Sequence, residues 1–407
     1  METGPRSDGS GLIELLQLFR HSPGLTRAEV AERTGWARMT VNNRLDELVD
    51  RGLLHADGAT PSRRGRPASR FRFAPDRGLL LVADIGASGM RLAVCDLGGA
   101  VLHRVDLEID VRDGPDPVLS LVEETLGKLL AAHGAGREVW GVGVSLPGPV
   151  EFATGRVVSP PIMTGWDGAP VSTRLRERFG AEVFVDNDVN AMALGEQRRY
   201  YPEVANLLFL KVGTGVGSGI VANGHVLRGA QGAAGDIGHT WADSTDGRTA
   251  RPVCQCGKIG CVEAYAGGWA ILRDLAASGR RLARVDELVE AIGFGDPAVI
   301  RLVREAGRVL GAGLAHAVSL LNPSVLVVGG QLAKADEHLL AGIRELIYAR
   351  SLPLATRDLR IVRSRLGDDA GVIGLAHGLA DAVLGSAATV DRLSGGGRRR
   401  TALVTAD

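Results

Sequence analysis

The sequence predicts an α/β protein: a winged helix-turn-helix at the amino terminus, then a large domain in which buried strands alternate with helices. Three observations carry this. Apolar residues recur at helical spacing through residues 12–48, with a glycine turn at Gly35. A basic stretch bounded by Leu53-Leu54 and Phe71-Arg72-Phe73 follows, the pattern of a hairpin wing. Beyond it, residues 79–85, 139–145 and 183–185 form short, nearly continuous apolar runs that end in turns, as strands buried on both faces do.

Composition sets the outer bounds. At 407 residues the chain is long enough for two or three domains. Its 45% hydrophobic and 23% charged residues are ordinary for a globular protein. No apolar run reaches the ~18–20 residues that span a bilayer, so no membrane partner and a cytoplasmic location are expected. The zero net charge hides an asymmetry. Residues 1–73 hold twelve Arg against nine Asp or Glu, and residues 60–73 hold five Arg and no acid. A basic cluster on an otherwise neutral chain points to a polyanion partner for that segment.

The amino-terminal domain is expected over residues 1–75. Leu12, Leu15, Leu16 and Phe19 mark one amphipathic helix. Thr26-x-x-Glu29 is a capping box opening a second, which Gly35 ends. Val41, Leu45 and Leu48 are the inner stripe of a third. With Val41 inward, ~100° per residue turns Met39, Thr40, Asn42, Asn43 and Asp46 outward, flanked by Arg38 and Arg44. Asn42 and Asn43 suit adenine edges, whereas Arg38, Thr40 and Arg44 suit phosphates. Arg63-Arg64-Gly65-Arg66-Pro67 reads as a thin wing tip whose guanidinium groups can enter a minor groove. A solvated linker is the competing reading. Double-stranded DNA is the partner these features imply.

The large domain, residues 76–388, begins with the strand at 79–85 and the turn Asp84-Ile-Gly86-Ala-Ser88, paired with residues 91–95. The strand at 183–185 delivers Asp186, Asn187, Asp188 and Asn190 ahead of a helix at 191–197. Strand ends over helix starts are where ligands collect in open α/β sheets; capping by the two aspartates is the alternative. Gly213-Thr214-Gly215 is a second glycine-rich turn. Residues 306–321 read as a long helix of small residues, then a strand at 324–328, Gly329-Gly330-Gln331, and a last helix at 370–384. His239 with Cys254, Cys256 and Cys261 has the donor set of a closed tetrahedral zinc site. Unrelated thiols or a disulfide are the alternatives; nothing resembles a signal peptide, which disfavours the disulfide. The stretch 243–252 reads as a surface insert. Residues 389–407, with Arg398-Arg399-Arg400, carry no core-forming pattern and are expected to be a disordered tail.

The run from Leu210 through Gly213-Thr214-Gly215-Val-Gly217-Ser-Gly219, then Gly235-x2-Gly238-His239, then the cysteine knuckle, resembles the ROK family over residues 79–385. That resemblance implies a two-lobed actin-like ATPase (ribonuclease H-like) fold, in a family of sugar kinases and of sugar-responsive repressors with an added DNA-binding domain. It implies sugar contacts from Asn187, Asp188, Asp236, His239 and Glu263, with Asp188 the general base in a kinase. It also implies nucleotide-phosphate contacts from Asp84, Gly86, Gly213, Thr214, Gly215, Gly329 and Gly330. Two departures matter. Family kinases resemble Asp-x-Gly-Gly-Thr where this chain has Ala87 and Ser88, and they carry Glu where Asp236 stands. A Cβ obstructs a phosphate that must approach the backbone. The expected function is therefore a sugar- or sugar-phosphate-responsive transcriptional regulator, dimeric or tetrameric. An ATP/Mg2+-dependent sugar kinase, alone or combined with regulation, is the alternative.

Overall fold

A computed structural model describes residues 10–57, 69–242, 251–335 and 337–385. Helix α1 (Ser10–Arg20), the short strand β1 (Leu25–Thr26), α2 (Arg27–Thr34) and α3 (Arg38–Asp50) open the chain. Strands β2 (Leu54–Asp57) and β3 (Arg70–Phe73) pair antiparallel as the stem of the wing. The local chemistry is as the sequence implies. The Thr26 hydroxyl accepts from the Glu29 backbone, the Glu29 carboxylate accepts from the Thr26 backbone, and Gly35 ends α2 at φ 69°. Leu12, Leu15, Leu16 and Phe19 are buried together with Val41, Leu45 and Leu48. Strand β1, too short to leave a periodic signal, adds a third strand beside β3. The wing arginines Arg63, Arg64 and Arg66 lie outside the described residues, as do most of the 243–252 insert and the carboxy-terminal tail.

Two further sheets follow, and they share one topology. The first lobe contains β4 (Leu79–Ile85), β5 (Gly89–Asp96), β6 (Val101–Glu108), α4 (Pro115–His133), β7 (Val139–Leu146), a small hairpin of β8 (Val150–Glu151) and β9 (Arg156–Val157), α5 (Val171–Phe179) and β10 (Glu182–Asn187). Its sheet runs β10-β7-β4-β5-β6: an antiparallel meander, then two strands added in parallel. Helix α6 (Asp188–Tyr200) leads into the second lobe, which holds β11 (Leu207–Val212), β12 (Val216–Ala222), β13 (His225–Val226), α7 (Glu263–Ala266), α8 (Gly268–Ala277), α9 (Val285–Gly293), α10 (Pro297–Leu321), β14 (Val325–Gly329), α11 (Glu337–Arg350), α12 (Pro353–Thr356), β15 (Arg360–Arg363) and α13 (Ala370–Leu384). Its sheet, β13-β12-β11-β14-β15, repeats the first in order and direction. Two such units facing each other are the lobes of the actin-like ATPase fold.

The closing helix of each unit crosses to the other. Helix α6 follows the first sheet but packs on β11 and β12, whereas α13 follows the second sheet and packs on β4 and β7. The two helices meet backbone to backbone: a Cβ on Gly374 would overlap the Ala191 carbonyl, and one on Gly195 would overlap that of Ala370. The amino-terminal domain is joined to this frame by the short turn Pro75–Arg77 and shares a continuous apolar core with it, Phe19 and Leu16 lying in one cluster with Leu375, Leu379 and Val383.

Helix α10 starts nine residues earlier than its small-residue stretch suggests. Asp296 accepts hydrogen bonds from the backbones of Ala298 (2.9 Å) and Val299 (3.1 Å), and Pro297 occupies the first turn. That capping pair was present in the sequence but lies ahead of the Gly/Ala-rich segment.

Candidate functional site

A cleft of about 460 Å3 separates the lobes. It is lined by Asp84 and Gly86 at the end of β4, by Asn187 and Asp188 where β10 becomes α6, and by Gly213, Thr214 and Gly215 between β11 and β12. Asp236, His239, Glu263 and Gly330 complete the wall. Among the residues assigned by resemblance to phosphate or sugar, Gly329 does not line the cleft. It ends β14 against the ring of Phe209, where a Cβ would lie too close to the aromatic edge. The tight packing of that ring is by itself a reason for glycine here.

Asn187 caps α6. Its side-chain oxygen accepts from the Val189 backbone (3.1 Å), and its amide donates to the Gly148 carbonyl (2.8 Å). The capping role that the sequence left open for the flanking aspartates thus falls to Asn187. The same amide also reaches the Leu146 carbonyl at 3.5 Å, which leaves the second lone pair of the side-chain oxygen for a ligand. Asp186, behind it, accepts from the Asn187 backbone and the Asn190 amide, and from the Arg228 guanidinium at 2.7 Å and 2.9 Å. Arg228 comes from the second lobe and stacks on Phe152 of the first, 3.9 Å from the ring centroid, so the pair ties the lobes at one edge of the cleft.

Asp188 is buried and receives the ammonium of Lys211 on β11. Asp84 is buried and accepts from the Ser145 hydroxyl at 2.6 Å, with the Arg91 guanidinium 3.5 Å away. Burial pushes the Asp84 carboxyl above the usual range, against the opposing pull of Ser145 and Arg91. Lys211, Ser145, Arg91 and Arg228 were not singled out from the sequence. Lys211, Ser145 and Arg228 face residues distant in the chain, whereas Arg91 faces Asp84 across the β4–β5 hairpin, seven residues away.

Glu263 begins α7 and is buried. Its carboxylate accepts from the Val216 backbone (2.9 Å) and the Trp269 indole (3.2 Å). Gly215 is required here, since a Cβ would lie 2.5 Å from a Glu263 oxygen. The glycine-rich turn therefore serves Glu263 as well as any ligand. Asp236 is exposed, just ahead of the 3-10 turn that carries His239.

Beside Glu263, the donor atoms of His239, Cys254, Cys256 and Cys261 all lie within 4.8 Å of one another. His239 Nδ1 is 3.6 Å from the Cys254 sulfur, and the Cys256 and Cys261 sulfurs are 3.7 Å apart. Tetrahedral zinc with bonds of about 2.3 Å to sulfur and about 2.0 Å to nitrogen sets donors roughly 3.5–3.8 Å apart. The cluster fits such an ion, and the four cysteines form no disulfide. Burial raises the Cys254 and Cys261 thiols, which shed their protons only if a cation compensates.

On α3, Arg38 and Asn43 are exposed, while Thr40 and Asn42 are half-buried. The Asn42 side-chain oxygen already accepts from Arg27 (3.0 Å), whose other nitrogen reaches Asp46 (2.6 Å). Arg44 does not flank the outer face as its sequence position suggests. Its guanidinium stacks on Trp36 at 4.0 Å and packs against Gly11 of α1.

Comparison with known proteins gives a consistent pattern. The profile of the ROK family matches residues 81–381, and that of a winged helix-turn-helix DNA-binding domain matches residues 12–54. A xylose repressor from Caldicellulosiruptor bescii is 28% identical over 367 residues, spanning 86% of this chain and 90% of that protein. A glucokinase from Halalkalibacterium halodurans is 31% identical over 308 residues, spanning 72% of this chain and 92% of the other. A solved ROK family transcriptional regulator, described as a homologue of the E. coli MLC protein, superposes with a TM-score of 0.81 at 26% identity, covering 95% of this chain and 99% of its own.

Proposed function

The chain belongs to the ROK family, and from that premise we propose that it is a sugar-responsive DNA-binding repressor. The observation that carries this reading is a winged helix-turn-helix packed onto a two-lobed domain whose cleft is lined by carboxylate, amide and imidazole side chains. The glucokinase covers 72% of this chain, whereas the repressor covers 86% of it and the regulator structure 95%.

In the proposed mechanism a sugar or sugar phosphate is held between Asn187 and Asp188 on one side and Asp236, His239 and Glu263 on the other. Carboxylates and an amide at a helix start suit the donors and acceptors of a polyol. Binding favours the closed arrangement of the lobes, and the closed arrangement favours release of DNA. His239, Cys254, Cys256 and Cys261 would hold a structural zinc ion, which would neutralise the thiolates. His239 turns Nδ1 toward the Cys254 sulfur, so its Nε2 is the nitrogen that would serve the ligand. Residues of α3, chiefly Arg38, Thr40 and Asn43, with Arg63, Arg64 and Arg66 of the wing, meet the duplex. A dimer or tetramer presents paired α3 helices to half-sites ~34–36 Å apart, and the work is done in the cytoplasm.

A kinase reading is favoured by one observation, the retained Asn187–Asp188 pair at the cleft. Against it, the carboxylate that would act as base is occupied by Lys211. ATP and Mg2+ belong only to that reading. Selection of bound duplexes from a random pool, repeated with a panel of hexoses, pentoses and N-acetylhexosamines, tests the proposal. Recovery of a palindromic site that a sugar displaces supports it. Recovery of no enriched sequence, together with ADP release that depends on Asp188, contradicts it.

A further inference from the structure

A sugar that governs DNA binding needs a physical route from the cleft to α3. The inference below rests on the regulatory reading and concerns that route. The zinc knuckle belongs to the second lobe, yet the amino-terminal domain packs on α13, which lies on the first. The connection runs elsewhere.

Helix α6 begins in the cleft, with Asn187 as its cap and Asp188 as its first residue. Ten residues later, about 15 Å along its axis, Arg198 donates to Asp381 Oδ2 at 3.2 Å. Asp381 stands near the end of α13. That helix also starts in the cleft, where Gly371 abuts the Asp84 carboxylate so closely that no Cβ fits. The other oxygen of Asp381 takes Arg20, the last residue of α1, whose guanidinium also reaches the His377 carbonyl at 3.4 Å. The Arg20 side chain is 4% exposed and that of Asp381 is 32% exposed. One carboxylate is thus divided between two arginines. One rides on a helix seated on the second lobe, and the other belongs to the DNA-binding domain. Because α6 and α13 touch backbone to backbone at Gly195 and Gly374, that contact is a natural pivot between them. Any change in the angle between the lobes is therefore felt at their distal ends. From Arg20 the path to DNA is short, since α1 packs against α3 and carries Gly11 beneath Arg44.

We propose that Asp381 is the switch residue of the sugar response. In the open arrangement it holds Arg198 and Arg20 together and fixes the amino-terminal domain against α13. When ligand closes the cleft, α6 rotates on α13, Arg198 moves relative to Asp381, and the grip on Arg20 changes with it. A shift of about 1 Å is enough to take a 3.2 Å ion pair out of hydrogen-bonding range. The orientation of α3 then no longer matches its partner in a dimer.

The test uses the full chain carrying Asp381→Asn and, separately, Arg198→Gln. The second variant leaves the Arg20–Asp381 pair, and hence domain docking, in place. Operator affinity is read by fluorescence anisotropy on the selected duplex, with and without saturating D-xylose, D-glucose or another sugar of the panel, and sugar binding is read by calorimetry. In the wild type the effective sugar weakens operator binding by about tenfold or more. Both variants are expected to bind the sugar as the wild type does while the response falls to about twofold or less. A wild-type response in Arg198→Gln, or in a folded Asp381→Asn, overturns the proposal. A wild type whose operator affinity is altered by no sugar of the hexose, pentose and N-acetylhexosamine panel contradicts the regulatory reading itself, and the switch falls with it.

Discussion

Lys211 donates to Asp188 across the floor of the cleft, so the carboxylate best placed to act as a base already faces a fixed ammonium. Asp188 opens α6 and Lys211 lies on β11, the strand that helix packs against, and Asp188 is buried whereas Lys211 is half-buried. Removing Lys211 alone strands a buried carboxylate. Lys211→Ala is expected to lower unfolding stability by about 1–3 kcal/mol, and Asp188→Asn in the same chain to restore part of it. Denaturant melts of the four proteins check this; additive effects would show that the pair is not coupled. Neither single variant is expected to release ADP in the presence of hexose.

The knuckle gives a second expectation. Wild-type protein should carry about one zinc per chain, and Cys254→Ser or Cys261→Ser should lose it together with several degrees of melting temperature. Atomic absorption and thermal melts measure both. Stoichiometric zinc retained by either variant would remove these thiols from the donor set. Operator affinity of the unheated variants is expected to fall less than stability, because the knuckle is remote from α1.

His377 sets a pH dependence. Burial, then the charge of Arg20, lowers its pKa from 6.5 to about 4. The folded state therefore binds its proton later than the unfolded state does. Stability is full above pH ~6.5 and falls as pH drops toward 4, by up to about 2 kcal/mol between pH 7 and pH 5. His377→Asn should flatten that segment of the profile. An unchanged slope would show that this imidazole is protonated in the fold.

Contacts to DNA separate by salt dependence. Asn43→Ala is expected to cost about 1–3 kcal/mol on the selected site and little on unrelated duplex. Arg38→Ala and Arg66→Ala should weaken both and reduce the salt slope by about one charge each. Arg44→Ala should instead lower stability, because its guanidinium stacks on Trp36. Titrations at several salt concentrations distinguish these outcomes.

What the sequence disclosed, and what it did not, follows from the range of the interactions. The capping box at Thr26–Glu29, the αL turn at Gly35, the buried stripe of α3 and the last helix, Ala370–Leu384, are local and periodic, and all were legible. So was the knuckle, because its thiols sit within a few residues of each other. The repeated sheet topology was not, since the two lobes share strand order and no recognisable sequence repeat. The same holds for Lys211 on Asp188, Arg228 on Asp186 and Arg20 on Asp381, pairs 23, 42 and 361 residues apart. Asn42 and Arg44 show the converse. Helical spacing turned Asn42 outward and set Arg44 beside that face, and tertiary partners, Arg27 and Trp36, then occupied them.

Reciprocity offers the most direct check on the central claim that cleft occupancy and operator binding oppose each other. The sugar dissociation constant should be measured by calorimetry on the free protein and again on the protein saturated with its selected duplex. The expected result is weaker sugar binding on the DNA complex, by the same factor with which sugar weakens DNA binding. Identical constants in the two states would contradict the account.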